Sequence, residues 1–242
     1  AQVTLEGHAN SALFAAYSPD GKHIVTASMD DTARIWNTDT GVEVRRLTGH
    51  TGDVWSAAYS PDGQQIVTAS FDQTARIWDA ATGQQVRLLV GHTEEIASAG
   101  YSPDGKTIVT ASYDRTARLW NADTGEEIRQ FKHTAKVAYA AFSPDGRRIV
   151  TSSADGTTRI WSSTDGTELL NLIGHTQAVL FAAFSPDGGR VATAGADRAI
   201  RIWNAADGRE LEVFVGHSDE VYVANWSPDG KRLISASSDN TA

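Results

Sequence analysis

The chain has 242 residues, 40% of them apolar, a formal net charge of −9 and no cysteine. An acidic balance argues against a nucleic-acid-binding surface, which is ordinarily basic, and the missing thiols remove disulfides and thiolate metal sites, as suits a reducing cytoplasm. No stretch approaches 18 apolar residues, so no membrane-spanning helix is expected.

The chain begins with a strand-like segment, Val3-Thr4-Leu5, and from Gly7-His8 onward one pattern recurs. Ser-Pro-Asp-Gly appears at Ser18, Ser60, Ser102, Ser143, Ser185 and Ser227, at spacings of 42, 42, 41, 42 and 42 residues. A fixed period of this length marks a supersecondary unit that buries its core against neighbouring copies. Each unit opens on a His: His8, His50, His92, His133, His175 and His217. Eighteen residues later comes a hydroxyl (Thr26, Thr68, Thr110, Thr151, Thr193, Ser235), and four beyond that an Asp (Asp30, Asp72, Asp114, Asp155, Asp197, Asp239). Six residues past the Asp stands Trp36, Trp78, Trp120, Trp161 or Trp203; the sixth unit ends before that position.

Four short apolar runs lie between these markers. In the second unit they are Val54 to Tyr59, Ile66 to Ala69, Ala75 to Trp78 and Val86 to Leu89, each rich in β-branched and aromatic residues and none with a helical period. Ser-Pro-Asp-Gly supplies turn chemistry between the first two runs, and Ala81-Thr82-Gly83 does so before the fourth. Four antiparallel strands in about 42 residues make a propeller blade.

Gly49-His50 and the run from Asp72 to Trp78, Asp-x-Thr-x-Arg-Ile-Trp, resemble the repeat of the WD-repeat β-propellers, and the likeness covers essentially the whole chain. The implied fold is an all-β propeller of four-stranded antiparallel blades, with six recognisable repeats in one domain over residues 1–242 and an incomplete last blade. Only Trp78-Asp79 is a literal Trp-Asp pair. Lys132-His133 lacks the usual Gly and one residue, which predicts a tighter connection into the fourth repeat.

The His, hydroxyl and Asp set holds the ingredients of a hydrolytic triad, but its presence in every repeat argues for scaffold rather than catalysis. The resemblance implies that His, Thr or Ser, Asp and Trp form a buried hydrogen-bonded chain in each blade. No metal or cofactor motif is present: the Asp-Gly turns lack the alternating ligands of a calcium loop, and no phosphate-cradling loop occurs. His23, the one His outside the pattern, is expected at an exposed strand edge.

In the resembled family, partners bind at positions three and five after the His and one before the Asp. Here these include Leu13, Met29, Asp53, Trp55, Phe71, Glu95, Tyr113, Leu180, Glu220 and Tyr222. Aromatics beside Asp53, Glu94, Glu95, Asp219 and Glu220 suit a protein or peptide with apolar anchors and basic character. The reading is a non-enzymatic interaction platform, without nucleic-acid or membrane partners; the alternative is a structural or engineered propeller with no dedicated partner. Residues 1–6 align with a fourth strand, and the sixth repeat stops where its third strand would begin. The chain is therefore expected to be part of a longer polypeptide or to complete its last blade from another molecule by self-association.

Overall fold

The computed structural model describes residues 3–242, and among them every regular element is a β-strand. The first sheet contains β1 (Ala12–Tyr17), β2 (His23–Ser28), β3 (Thr32–Asn37) and β4 (Glu43–Thr48). The second contains β5 (Val54–Tyr59), β6 (Gln65–Ser70), β7 (Thr74–Asp79) and β8 (Gln85–Val90), and the third β9 (Ile96–Tyr101), β10 (Thr107–Ser112), β11 (Thr116–Asn121) and β12 (Glu127–Lys132). The fourth holds β13 (Val137–Phe142), β14 (Arg148–Ser153), β15 (Thr157–Ser162) and β16 (Glu168–Ile173). In the fifth are β17 (Val179–Phe184), β18 (Arg190–Gly195), β19 (Ala199–Asn204) and β20 (Glu210–Val215); β21 (Val221–Trp226) and β22 (Leu233–Ser237) form a sixth sheet of two strands. Strands pair in sequence order within each sheet, and the ladders are antiparallel (Ile66 opposite Trp78, Val67 opposite Ile77). This is a β-propeller with an incomplete last blade.

Local chemistry sets the turns. In the second blade Gly63 N–H donates to the Ser60 carbonyl at 2.9 Å, closing a four-residue turn in which Gly63 takes a left-handed φ of +72°. Ser60 Oγ donates to Asp62 Oδ1 at 2.6 Å and accepts from Gln65 N–H at 2.9 Å, so the motif caps the hairpin with its own side chains. The connection from β12 to β13 is one residue shorter than those from β4 to β5 and β8 to β9, as the missing residue before His133 predicts.

The described residues form two compact units, one running to Asp114 with Arg118–Arg129, the other made of Arg115–Ala117 and Gln130–Ala242. Within each unit the core lies between consecutive sheets. In the first, Val25, Ala27, Ile35 and Leu47 of one blade meet Val54, Ala57, Ile66 and Trp78 of the next. In the second, Val150, Ile160 and Leu172 meet Ala182, Val191 and Trp203. Each buried aliphatic side chain contributes roughly 1.5–3 kcal/mol of transfer free energy. Inner strands therefore bury both faces, as β6 does, and small side chains such as Ala27 and Ala69 let the sheets approach closely.

Two placements differ from the sequence reading. Residues 3–6 pair into no sheet, although Val3 and Leu5 lie against Gly41 much as Arg45 and Leu47 lie against Gly83. His23 is half-buried at the start of β2, facing a cavity between two blades rather than an open edge.

Candidate functional site

Each blade carries a side-chain chain that starts at the third strand and ends in the loop before the first. In the second blade the Trp78 indole N–H donates to Thr68 Oγ1 at 2.9 Å, and Thr68 Oγ1 lies 2.7 Å from His50 Nε2. On the other side of the ring, His50 Nδ1 lies 2.7 Å from Asp72 Oδ2. These partners fix one tautomer: Nδ1–H donates to the carboxylate, and Nε2 accepts the threonine proton. The same chain joins Trp36, Thr26, His8 and Asp30; Trp120, Thr110, His92 and Asp114; Trp161, Thr151, His133 and Asp155; and Trp203, Thr193, His175 and Asp197. His217, Ser235 and Asp239 keep the two remaining links at 2.9 Å each, without an indole.

The electrostatics are those of a scaffold. Burial pushes the His92, His133 and His175 imidazoles down, His133 to about 4, against the opposing pull of their aspartates, so these rings are neutral at pH 7. Burial alone would raise the Asp72 carboxyl, but hydrogen bonds from His50, Thr74 and the Thr51 N–H outweigh it and hold it well below the usual range. A hydroxyl whose oxygen accepts an indole N–H and whose proton is committed to the ring is poorly disposed to act as a nucleophile.

One recurring component escaped the sequence reading. Four residues after each of the first five of these aspartates an Arg reaches back to it and on to the fourth strand. Arg34 lies 3.1 Å from Asp30 and 2.7 Å from Glu43, and Arg118 lies 3.1 Å from Asp114 and 2.6 Å from Glu127. Arg34 is 3% exposed, so this pair of contacts extends the buried network across the whole sheet. The signal was present in the sequence: Arg34, Arg76, Arg118, Arg159 and Arg201 share the period.

The variable positions sit at the same end of the strands, and two backbone features gather them. The residue five after the His is the extra residue of a β-bulge in the first strand: Leu13, Trp55, Ala97, Ala138, Leu180 and Tyr222 each fall where the ladder skips. A bulge turns that side chain away from the sheet's alternation. The residue before the Asp then donates its N–H to the carbonyl three after the His, as Phe71 does to Asp53 and Tyr113 to Glu95, both at 2.9 Å. Met29 does the same to Ser11 and Ser238 to Glu220.

In the first unit this brings three aromatics together. Trp55 and Phe71 stack at 4.6 Å between centroids with planes 12° apart, and Tyr113 meets Phe71 at 5.8 Å. All three are half-buried. Burial, then the Glu95 carboxylate, pushes the Tyr113 hydroxyl up. Asp53, Glu94 and Glu95 make no ion pair among the described residues. Met29 is exposed and Leu13 half-buried, each outside the ring cluster. In the second unit Ser238 donates to the Tyr222 hydroxyl at 2.8 Å, Tyr222 is exposed, and Leu180 and Glu220 are half-buried. Ala97 and Ala196, at rim positions of other repeats, are buried and offer little side chain.

Blades of this construction, each locked by the same side-chain chain, define a repeat propeller. The family model for the WD domain, G-beta repeat (WD40), matches residues 1–37, 41–79, 83–121, 125–162, 166–204 and 208–242, so the chain belongs to the WD40-repeat family. No curated protein matches it. Repeats of this family generally build scaffolds for protein–protein interaction, and proteins made of them are generally non-enzymatic.

Proposed function

We propose that this chain is an interaction platform that docks a protein or peptide segment on the end of the blades carrying the bulge residues, through an apolar anchor flanked by basic side chains. One observation carries the reading: the Trp55–Phe71–Tyr113 cluster lies beside three carboxylates without ion-pair partners, Asp53, Glu94 and Glu95. Aromatic side chains offer large contact area at small entropic cost, and desolvated aromatics ringed by polar groups are where binding energy concentrates. The carboxylates favour a basic partner and its rate of encounter. Leu13 and Met29 extend the same end of the first unit, and Leu180, Glu220 and Tyr222 are the equivalent positions of the second.

A displayed library of twelve-residue peptides tests this. Wild-type protein should enrich sequences that place an aromatic or aliphatic residue next to Lys or Arg. The single variants Trp55→Ser and Phe71→Ser should lose that enrichment while costing about 1–2 kcal/mol of stability, the worth of a half-buried aromatic contact. Enrichment that is indifferent to both changes would end the reading.

A further inference from the structure

At the opposite end of the strands, the Ser-Pro-Asp-Gly turns meet the neighbouring blade, and here the repeats differ in what fills the junction. In the second unit an arginine does so. Arg148, the first residue of β14, donates to the Gly188 carbonyl at 2.7 Å and to the Ala205 carbonyl at 2.8 Å, and its guanidinium lies 4.9 Å from the centre of the Phe184 ring. One repeat later Arg190, the first residue of β18, donates to the Gly230 carbonyl at 2.7 Å and lies 4.5 Å over Trp226. In the first unit Gln65 holds the same position, and the Tyr101 hydroxyl donates to its Oε1 at 3.1 Å.

The junction between the first two blades is left without such a partner. The counterpart of Arg148 and Arg190 is His23, a shorter side chain, and a cavity of about 330 Å³ lies beside it. Its lining includes Tyr59, Gly63 and Ala80, the counterparts of Phe184, Gly188 and Ala205. Among the described residues no hydrogen-bond donor reaches the carbonyl of Gly63 or of Ala80. The Tyr59 hydroxyl is buried with no hydrogen-bond partner. Asp20 and Asp62 flank the opening. The guanidinium of Arg45 is committed to the carbonyls of Ala81 and Val44.

We infer that this cavity is a guanidinium-binding site, built to the pattern that Arg148 and Arg190 fill internally but left open to a ligand because His23 replaces the arginine. A planar guanidinium offers donors in a fork that matches the two carbonyls, and it stacks on the tyrosine face. The two carboxylates balance its charge. An ammonium group is a compact point charge and reproduces neither the fork nor the stacking. The cavity falls in the usual range of small-ligand pockets, roughly 300–1,000 Å³. The guanidinium can come from an arginine side chain of a partner or from a free small molecule.

Saturation-transfer NMR on the full chain, read at the δ-methylene protons of the probe, tests the assignment and its source. The probes are N-acetyl-L-arginine methylamide, free L-arginine and N-acetyl-L-lysine methylamide. Both arginine probes or one of them should bind saturably, and the lysine probe should be weaker by about tenfold or more. Tighter binding of the amide assigns the site to a protein side chain, and tighter binding of free L-arginine, through its charged termini, assigns it to a free molecule. His23→Arg should fill the cavity from within, raise the melting temperature and weaken the arginine probe about tenfold or more. Val44→Trp, at the partly exposed rim of the same cavity, should block binding without touching His23. Absence of saturation with either arginine probe, equal binding of the lysine probe, or affinity unchanged in both variants would overturn the inference.

Discussion

The second and sixth blades are the same design in two states of completion. In the second, His50 is 1% exposed at its side chain, and Leu47 of β4, on the preceding blade, is buried against this blade. At the sixth, His217 is 15% exposed, and Phe214 of β20, on the preceding blade and the counterpart of Leu47, is 42% exposed because only two strands lie beside it. Yet His217 keeps both of its hydrogen bonds, with Ser235 and with Asp239, at 2.9 Å, where the complete blades show 2.7–3.2 Å. The polar chain thus forms from two strands and a loop, whereas its shielding depends on the third strand and its Trp. Geometry is local; burial is not.

The largest effect is expected at the Trp. Replacing Trp78 by Ala should give the second blade the composition of the sixth, at a cost of about 3–5 kcal/mol from the cavity and the lost indole donor. Urea unfolding measures it, and a loss under about 1 kcal/mol would show that the third strand shields His50 without the indole. Next comes the carboxylate. Asp72→Ala strands the buried His50 ring and the Thr74 hydroxyl and should cost about 2–4 kcal/mol, while Asp239→Ala, beside the more exposed His217 and with no indole above it, should shift the melting temperature far less. Equal shifts for the two would contradict the dependence on burial.

Acid offers a third way in. The folded-state pKa of His133 is pushed down from 6.5 to about 4, so the unfolded chain binds that proton more readily. Its contribution is full above about pH 6.5 and should fall by roughly 2–3 kcal/mol as the pH drops toward 4. Below that, the depressed carboxyls of Asp30, Asp72 and Asp155 add a further loss. Urea midpoints that stay flat between pH 7 and 4.5 would show that the buried rings do not govern the profile. The smallest effect is expected at the apolar counterpart: Phe214→Ala should cost about 1 kcal/mol where Leu47→Ala costs about 2–5, a difference read from paired denaturation curves.

Much of this architecture was legible because the repeat wrote it six times. The turn motif, the four runs per unit and the missing residue before His133 led directly to strand number, order and the short connection at β12. The His, hydroxyl, Asp and Trp spacing marked residues that the structure joins in one directional chain. The Arg relay to Glu, or to Gln85 in the second blade, has the same period, but such a pair on neighbouring strands reads as ordinary surface until its burial is known. The bulge was hidden for a different reason. In Val54-Trp55-Ser56-Ala57 an extra residue leaves no mark on an apolar run, so only the ladder shows that Trp55 stands outside it.

Sequence alone determined what is local and repeated: strands, turns, the partners within each hydrogen-bonded chain, and the incompleteness of the sixth sheet. Only the tertiary structure decided which copies of a position are equivalent in environment. His23, Gln65, Arg148 and Arg190 occupy one place in the repeat, yet one faces a cavity, one meets a tyrosine and two bridge to the next blade. The physical reason is that a side chain's own strand sets its direction, while the adjacent blade, far away in sequence, sets whether its polar atoms find partners.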